Sequence, residues 1–449
     1  MSNHAWLRAV IRMRIHLPAA GLGLLTFWLL LPACTSHPQV PNVTAEQHEL
    51  NLKSFEEVWT TIRDRHWDPD LGGIDWQAVH DELRPQAETA TTMAAARGVM
   101  EEMIARLGKS HYGIIPQELY DDVDQAAGGG HGDGEPGFEV RAIDGHALVV
   151  SVEPGSPATL RGVRMGWEIL KIGEEDIPER LKSLGERFTG KTTSTYIQSM
   201  AVSSRLAGPV ADSVSVRFLD EHDQTRDLAI PLIEPQGNRV GLGNLPAHHV
   251  WFERLKLGED IGYIAFNIFL DPITVMEGFN SAMEWFLEVP GVIIDLRGNP
   301  GGIGAMAMGM AGWLIENAGE RLGTMHTRET ELKFAVSPRP QVYTGRVAVL
   351  VDGLSASTSE ILAGGLQDLG RARLFGTRTA GAALPSIITR LPNGDGFQYA
   401  IANYISAGGR VLEGEGITPD MEVPVTRAGL LAGHDEALEA AVAWISATP

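Results

Sequence analysis

Two stretches of the chain predict an α/β protein with parallel strands and helical crossovers. The first, Arg346-Val-Ala-Val-Leu-Val351, is a run of β-branched and apolar residues halted by Asp352 and Gly353; Glu360-Ile-Leu-Ala363 beyond it reads as a helix. The second, Gly291-Val-Ile-Ile-Asp295, has the same texture, passes through the Gly-rich turn 297–302 and enters a Met-rich helix from Ala305 to Ile315. A run that is apolar at every residue suits a strand buried on both faces. Two strand–turn–helix units in succession suit neighbouring parallel strands. A third observation divides the chain: helical periodicity rules up to Leu107, short strands between glycines begin at Gly137, and the strand–turn–helix texture follows from Ile261.

The chain has 449 residues, enough for two or three domains with proper cores, and its 44% hydrophobic and 21% charged residues are globular in balance. A formal net charge of −21 argues against nucleic acid or an anionic membrane surface as partner. Cys34 is the only cysteine, so no internal disulfide and no Cys-rich metal site can form. Residues 1–33 carry Arg8, Arg12 and Arg14 ahead of an apolar segment from Leu17 to Ala33, the layout of a secretory signal. The segment ends in Leu31-Pro-Ala-Cys34, which resembles the lipobox of bacterial lipoproteins. That resemblance implies cleavage before Cys34, lipidation of Cys34, attachment to a membrane, and an exported location in the periplasm or cell envelope. A plain signal peptide or an uncleaved anchor would equally put the folded part outside the cytoplasm.

A polar tether with Pro38 and Pro41 fills residues 34–46. In the N-terminal helical region, 47–120, Phe55, Val58, Trp59 and Ile62 recur at helical spacing, and Val99, Met100, Met103, Ile104 and Leu107 form a second stripe ended by Gly108. Lys109-Ser-His111 then turns into a strand. Residues 121–136 read as a flexible linker, in which His131, Asp133 and Glu135 alternate with glycine and have nothing to preorganise them as metal ligands.

From 137 to 236 the strands are short. Gly137-Phe-Glu-Val140, Pro154-Gly-Ser-Pro-Ala158, and Gly162-Val163 with Gly166 ahead of Trp167-Glu-Ile-Leu-Lys-Ile172 resemble a PDZ domain, with Trp167 where that family usually has Asp. The resemblance implies a peptide-binding loop and strand at Gly137, Phe138, Glu139 and Val140, which would capture peptides by adding a strand to a sheet edge. Residues 183–210 look like a helical insertion, and Val214 to Phe218 and Leu228 to Leu232 would close the domain. The remaining part, 237–449, holds the two strand–turn–helix units.

A small hydroxyl-bearing residue between a buried strand and a helix is where a nucleophile can be exposed, with the helix's first N–H groups facing a developing negative charge; an ordinary Ser/Thr N-cap has the same pattern. The Gly-rich turn 298–302 lacks the Gly-Lys-Ser/Thr of a phosphate loop. It is either structural or a source of backbone oxyanion donors. Asp295 and Arg297 read as a structural ion pair, and Met306, Met308 and Met310 as core. His248 and His249 have no third ligand in sequence.

Asp295-Leu-Arg-Gly-Asn-Pro-Gly-Gly302 followed by Gly353-Leu-Ser-Ala-Ser-Thr-Ser-Glu360 resembles the tail-specific, or C-terminal processing, serine protease superfamily. The PDZ-like stretch, Leu107-Gly-Lys-Ser-His111 and Glu413-Gly-Glu-Gly-Ile-Thr-Pro-Asp420 match in the family's order. The resemblance implies a crotonase-like (ClpP-like) α/β core of repeated ββα units and serine endopeptidase activity without a cofactor. It also implies polypeptide substrates with flexible or exposed C-termini, and Ser357 as nucleophile. In the Ser–Lys branch a lysine and a glutamine follow; here those positions are Ala382 and Ser386, and nearby Arg378 stays protonated and cannot act as base. The branch that includes the tricorn core protease uses histidine, and its tetrad maps onto Ser110, His111, Ser357 and Glu413, with Glu415 a competitor for the last role. A serine hydroxyl needs an adjacent base, and an imidazole needs an orienting partner on its second nitrogen. The oxyanion donors would be the N–H of Thr358 and of Gly301 or Gly302. Two other readings are a non-catalytic ligand- or peptide-binding member of the fold, and a Ser–Lys enzyme drawing on Lys109 or Lys333.

Overall fold

A computed structural model describes residues 42–120, 134–258 and 260–447. The anticipated signal 1–33, Cys34 and most of the tether lie outside the described residues, as does 121–133 of the anticipated linker. The chain has a mixed α/β fold. Its central sheet runs Phe252–Leu257, Ile261–Phe266, Gly291–Asp295, Arg346–Val351, Arg373–Gly376, Met421–Glu422, with all pairs parallel except the first. The apolar runs are explained by burial on both faces. Val347, Val349 and Val351 join Val292 and Ile294 in one core, whereas Ala348, Leu350 and Ile293 face the C-terminal helix Glu436–Ser446 through Leu438, Ala441 and Ile445. The register aligns Asp295 with Leu350, so the turns after Gly291–Asp295 and Arg346–Val351 leave the sheet side by side at its carboxyl end. That end is where open α/β sheets place their ligands. The helices that follow span Gly304–Ala311 and Thr358–Asp368, the first of them shorter than the Ala305-to-Ile315 expectation because the chain leaves the helix at Gly312.

A second, antiparallel sheet orders Phe138–Ile143, His146–Val152, Glu168–Ile172, Ser213–Leu219, Thr225–Pro231. Two helices, Ile177–Arg187 and Ser194–Leu206, cover it where the sequence suggested a helical insertion from residue 183. The linker reading does not extend to residues 134–135: Gly134 bridges Gly208 and Glu135 bridges Ile233, which pins both to the rim of this sheet. Arg141, on the first strand, reaches the central domain and donates from Nε to Asp352 Oδ2 at 3.2 Å.

Helices Ala45–Arg65, Trp76–Thr89 and Met93–Ala105 form the N-terminal region. Their core is not self-contained, because Leu391, Phe397 and Tyr399 of the distant hairpin Ser386–Arg390/Gly396–Ala400 complete it. Strand Gly113–Ile115 pairs with Gly396–Ala400, and buried Asp395 receives a bidentate contact from Arg97. This docking carries the Ser110-His111 turn across to the central domain. Among the described residues no helix is long and apolar enough to cross a membrane.

Candidate active site

Ser357 sits immediately before helix Thr358–Asp368 with φ +53° and ψ −117°. A side-chain-bearing residue held there stores about 1–3 kcal/mol of strain, which the surroundings must hold in place. They do so at its N–H, which donates to the Ala382 carbonyl at 2.7 Å and to Glu360 Oε2 at 3.1 Å. The strand end upstream is fixed by Asp352, whose Oδ1 accepts from Gly298, Leu354 and Ser355 N–H at 2.9–3.0 Å. Ser355 and Ser359 are fully buried and spend their hydroxyls on the carbonyls of Leu296 (2.8 Å) and Asn299 (2.9 Å). Of the three serines, only Ser357 is partly exposed.

The Gly-rich turn lies against this one. A Cβ on Gly301 (φ +95°) would stand 2.7 Å from Ser357 Cβ, the Ala356 carbonyl and the Thr358 nitrogen, which is why glycine is required there. The two candidate donors on the turn differ. Gly301 N–H is committed to Asn299 Oδ1 at 3.0 Å, whereas among the described residues Gly302 N–H donates to no protein acceptor. Of the two, Gly302 is the one whose N–H faces no protein acceptor among the described residues. Thr358 N–H opens its helix and has no partner within it, and the Thr358 hydroxyl donates to Gly302 O at 2.7 Å, bringing the two donors together.

Ser110, His111 and Glu413 meet although the glutamate is 303 positions from the serine. Glu413 Oε1 accepts from Ser110 N–H and Oε2 from Ser110 Oγ, both at 2.7 Å; Glu415 is exposed and makes neither contact. His111 Nδ1 lies 2.8 Å from Ser110 Oγ. A carboxylate only accepts, so the Ser110 proton points to Glu413, and Ser110 Oγ then accepts from Nδ1–H. That leaves the lone pair on Nε2. Burial holds the imidazole down to about 4, so it is neutral and able to take a proton at pH 7. The same Glu413 Oε2 accepts from Ala383 N–H at 3.2 Å, next to the Ala382 carbonyl that holds Ser357. Segment 382–383 thus connects the His111 side of the site to the Ser357 side. The alternative lysines, Lys109 and Lys333, are both exposed.

Residues 260–423 match the family model for peptidase family S41, and residues 49–105 match the tricorn protease C1 domain. The chain is 25% identical over 375 residues to carboxyl-terminal-processing peptidase 3, chloroplastic, of Arabidopsis thaliana, covering 82% of this chain and 68% of that protein. It is 26% identical over 430 residues to a carboxyl-terminal-processing protease of Synechocystis, covering 88% and 86%. Among solved structures, the photosystem II D1 C-terminal processing protease aligns with a TM-score of 0.56 at 21% identity, over 88% of this chain and 99% of that one. Mature CPAF aligns with 0.63 at 13% identity, over 89% and 97%.

Residues 260–423 are a peptidase family S41 domain, and the relatives named above are C-terminal processing proteases.

In this serine peptidase the residues expected to bind peptide lie on the antiparallel sheet, on the strand whose Arg141 bonds to Asp352 of the serine turn. Phe138 and Val140 point into the core of the antiparallel sheet, so only the strand edge and exposed Glu139 remain for a ligand. Gly137, Phe138 and Glu139 border a cavity of about 340 Å³ that continues to His249, Trp251 and Asn267. Further along the same strand, Ala142 N–H already donates to Ser199 Oγ of helix Ser194–Leu206 at 2.9 Å. Asp295 and Arg297 are a structural pair: Arg297 also binds Asp435, which tethers the C-terminal helix to the Gly-rich turn.

Three residues that hold the site were not singled out from the sequence: Asp352, Asn299 and Glu360. Glu360 had a readable signal, because Ser357-Thr-Ser-Glu360 is the S-x-x-E spacing of a capping box. Asn299 had none, since its contacts are to residues up to 60 positions away.

Proposed function

We propose that this peptidase is a serine endopeptidase whose nucleophile is Ser357 and whose base is His111, oriented by Ser110 and Glu413. The observation that carries the reading is the chain of contacts His111–Ser110–Glu413–Ala383, continued through Ala382 to the strained Ser357. In acylation the Ser357 Oγ–H proton passes to His111 Nε2 as Oγ bonds to the peptide carbonyl carbon. The N–H groups of Thr358 and Gly302 receive the oxyanion. The C–N bond then breaks as His111 returns its proton to the departing amine. Water then gives a proton to His111 as its oxygen bonds to the acyl carbon, and His111 passes that proton to Ser357 Oγ as the ester C–O bond breaks.

The substrates are polypeptides with flexible or exposed C-termini, captured along the Gly137–Val140 part of the strand edge, beside the cavity that Gly137, Phe138 and Glu139 border. The domains we assign are a PDZ-like module over 137–236 and a crotonase-like core over 237–449, with the helical region 47–120 supplying Ser110 and His111. The signal pattern of residues 1–33 supports export, and the position of Cys34 supports a lipid anchor to the membrane.

Labelling with a fluorophosphonate probe tests the assignment. Wild type is expected to label, Ser357→Ala to lose the label entirely, and His111→Ala to label about 10²–10⁴-fold more slowly. Label that survives in Ser357→Ala places the nucleophile elsewhere, and full activity of His111→Ala removes the histidine from the mechanism.

A further inference from the structure

We propose that Glu360 is the positioning residue of the acyl-transfer site: its carboxylate clamps the Ser357 turn to segment 379–382, and the nucleophile is held for reaction only while that carboxylate is ionised. The inference rests on Ser357 being the nucleophile. Glu360 is fully buried in the first turn of helix Thr358–Asp368. Its Oε2 accepts from Ser357 N–H at 3.1 Å and Ala382 N–H at 3.0 Å; its Oε1 accepts from Gly381 N–H at 2.9 Å and the Thr379 hydroxyl at 2.5 Å. Four donors converge on two oxygens, so the cradle fits a carboxylate, which only accepts. A proton on Oε2 would push away Ser357 or Ala382. A proton on Oε1 would oblige the Thr379 hydroxyl to stop donating, although that oxygen already accepts from Ile417 N–H at 2.7 Å.

The clamp reaches both halves of the site. Ala382 and Ala383 are the residues that contact Ser357 and Glu413, and Gly414 N–H donates to Gly381 O at 2.8 Å. Loosening Glu360 therefore frees the strained Ser357 together with the segment whose Ala383 N–H and Gly381 carbonyl bind the Glu413 loop. Among the described residues, no charged side chain of the packed elements is bonded to it. Arg378 is turned to Thr418, Glu413 to Ser110, and Arg410 to Asp368 at the far end of the helix. His326 pairs with Glu331, Arg373 lies over the Phe375 and Trp444 rings, and Glu415 and Arg321 are exposed.

Burial without a counter-charge pushes the Glu360 carboxyl up to about 7, against the pull of its four hydrogen bonds, while His111 is held near 4. The order of the two titrations has a consequence. As pH falls, Glu360 takes its proton first, so the acidic limb of the rate profile belongs to the clamp and not to the histidine.

The test is the rate of fluorophosphonate inactivation of the whole chain across neutral pH, with urea unfolding as a control on the fold. Wild type is expected to slow as pH falls through about 7. Glu360→Gln keeps the shape but turns an amide N–H₂ toward N–H donors. It should lower the plateau about tenfold to a hundredfold, a loss of the size that a small misplacement of a reacting group gives, and flatten the limb near neutrality. Glu360→Asp, which keeps the charge, should retain a limb. A wild-type limb centred at the histidine's value near 4 overturns the proposal without any variant. So does a Glu360→Gln protein with the wild-type rate and limb. Label that survives in Ser357→Ala would instead overturn the nucleophile assignment itself.

Discussion

The turns at 295–303 and 352–360 leave adjacent parallel strands at matched register, and both are held by their own polar side chains, yet they present different chemistry. The Gly-rich turn offers backbone: Asn299 takes up the Gly301 N–H, leaving that of Gly302 at the site. The serine turn offers a side chain: Asp352 takes up the N–H groups of Leu354 and Ser355 ahead of it, Glu360 takes up the N–H of Ser357 itself, and Ser357 stands in a strained conformation. Asn299 joins the two. Its carbonyl accepts from Ala356 N–H at 3.1 Å and from the Ser359 hydroxyl at 2.9 Å, while its own amide donates to Phe266 O at 2.8 Å. The difference teaches how a reactive group is selected. Most donors in both turns are saturated by buried polar groups, and those left over sit where chemistry can use them.

The largest expected effect comes from forcing the turns apart. Gly301→Ala puts a methyl group 2.7 Å from backbone atoms on both sides of Ser357, at a φ of +95° that alanine resists. The inactivation rate should fall about 10²–10³-fold, the loss that follows removal of an oxyanion donor. Gly298→Ala on the same turn is the control: it carries a comparable backbone strain at φ +73°, but its Cβ would meet only the Arg141 guanidinium, the far end of a flexible side chain, so its effect on rate should be far smaller. Equal losses from both would mean that the Gly-rich turn tolerates no side chain at all, and that the contact with Ser357 is not special.

Asp352 separates stability from chemistry. Asp352→Asn keeps the shape but removes the charge that three N–H groups and Arg141 share. Hydrogen bonds to a charged group contribute about 1.5–3 kcal/mol, so a loss of about 2 kcal/mol in urea unfolding is expected. The rate should drop less than in Gly301→Ala, because Ser357 is still held by Ala382 and Glu360. A larger rate loss than in Gly301→Ala would show that the serine turn is organised from its strand side.

The sheet and both turns were legible because their signals are local: apolar runs at 291–295 and 346–351, each stopped by an aspartate. The helical insertion was legible from position and texture, and the S-x-x-E spacing at Ser357 could have pointed to Glu360. Which of Glu413 and Glu415 bonds to Ser110 was not legible, since two residues on one loop differ only in which way the fold turns them; it is Glu413, at 2.7 Å. Which of the Gly301 and Gly302 N–H groups is taken up by the protein was hidden for the same reason, as it depends on an asparagine side chain folding back on its own turn. The sharing of the N-terminal core with the hairpin near Phe397 was also unreadable, because nothing in a helical stripe names the distant strand that will cover it.

The smallest effect expected is the most diagnostic of how the turns are joined. Ser359 is fully buried, and its hydroxyl serves only the Asn299 carbonyl and side-chain oxygen, at 2.9 and 3.1 Å. Ser359→Ala removes that link and leaves Ala356 N–H still bound to the same carbonyl. The lost hydrogen bond should cost about 1 kcal/mol in urea unfolding. Because the donor and both its acceptors lie behind the site, the inactivation rate should stay within about threefold of wild type, as expected when a removed group does not bear on transition-state binding. A rate loss approaching that of Gly301→Ala, with only the small stability change, would mean that Asn299 sets the position of the Gly302 donor through Ser359. The two turns would then be one device rather than two neighbours.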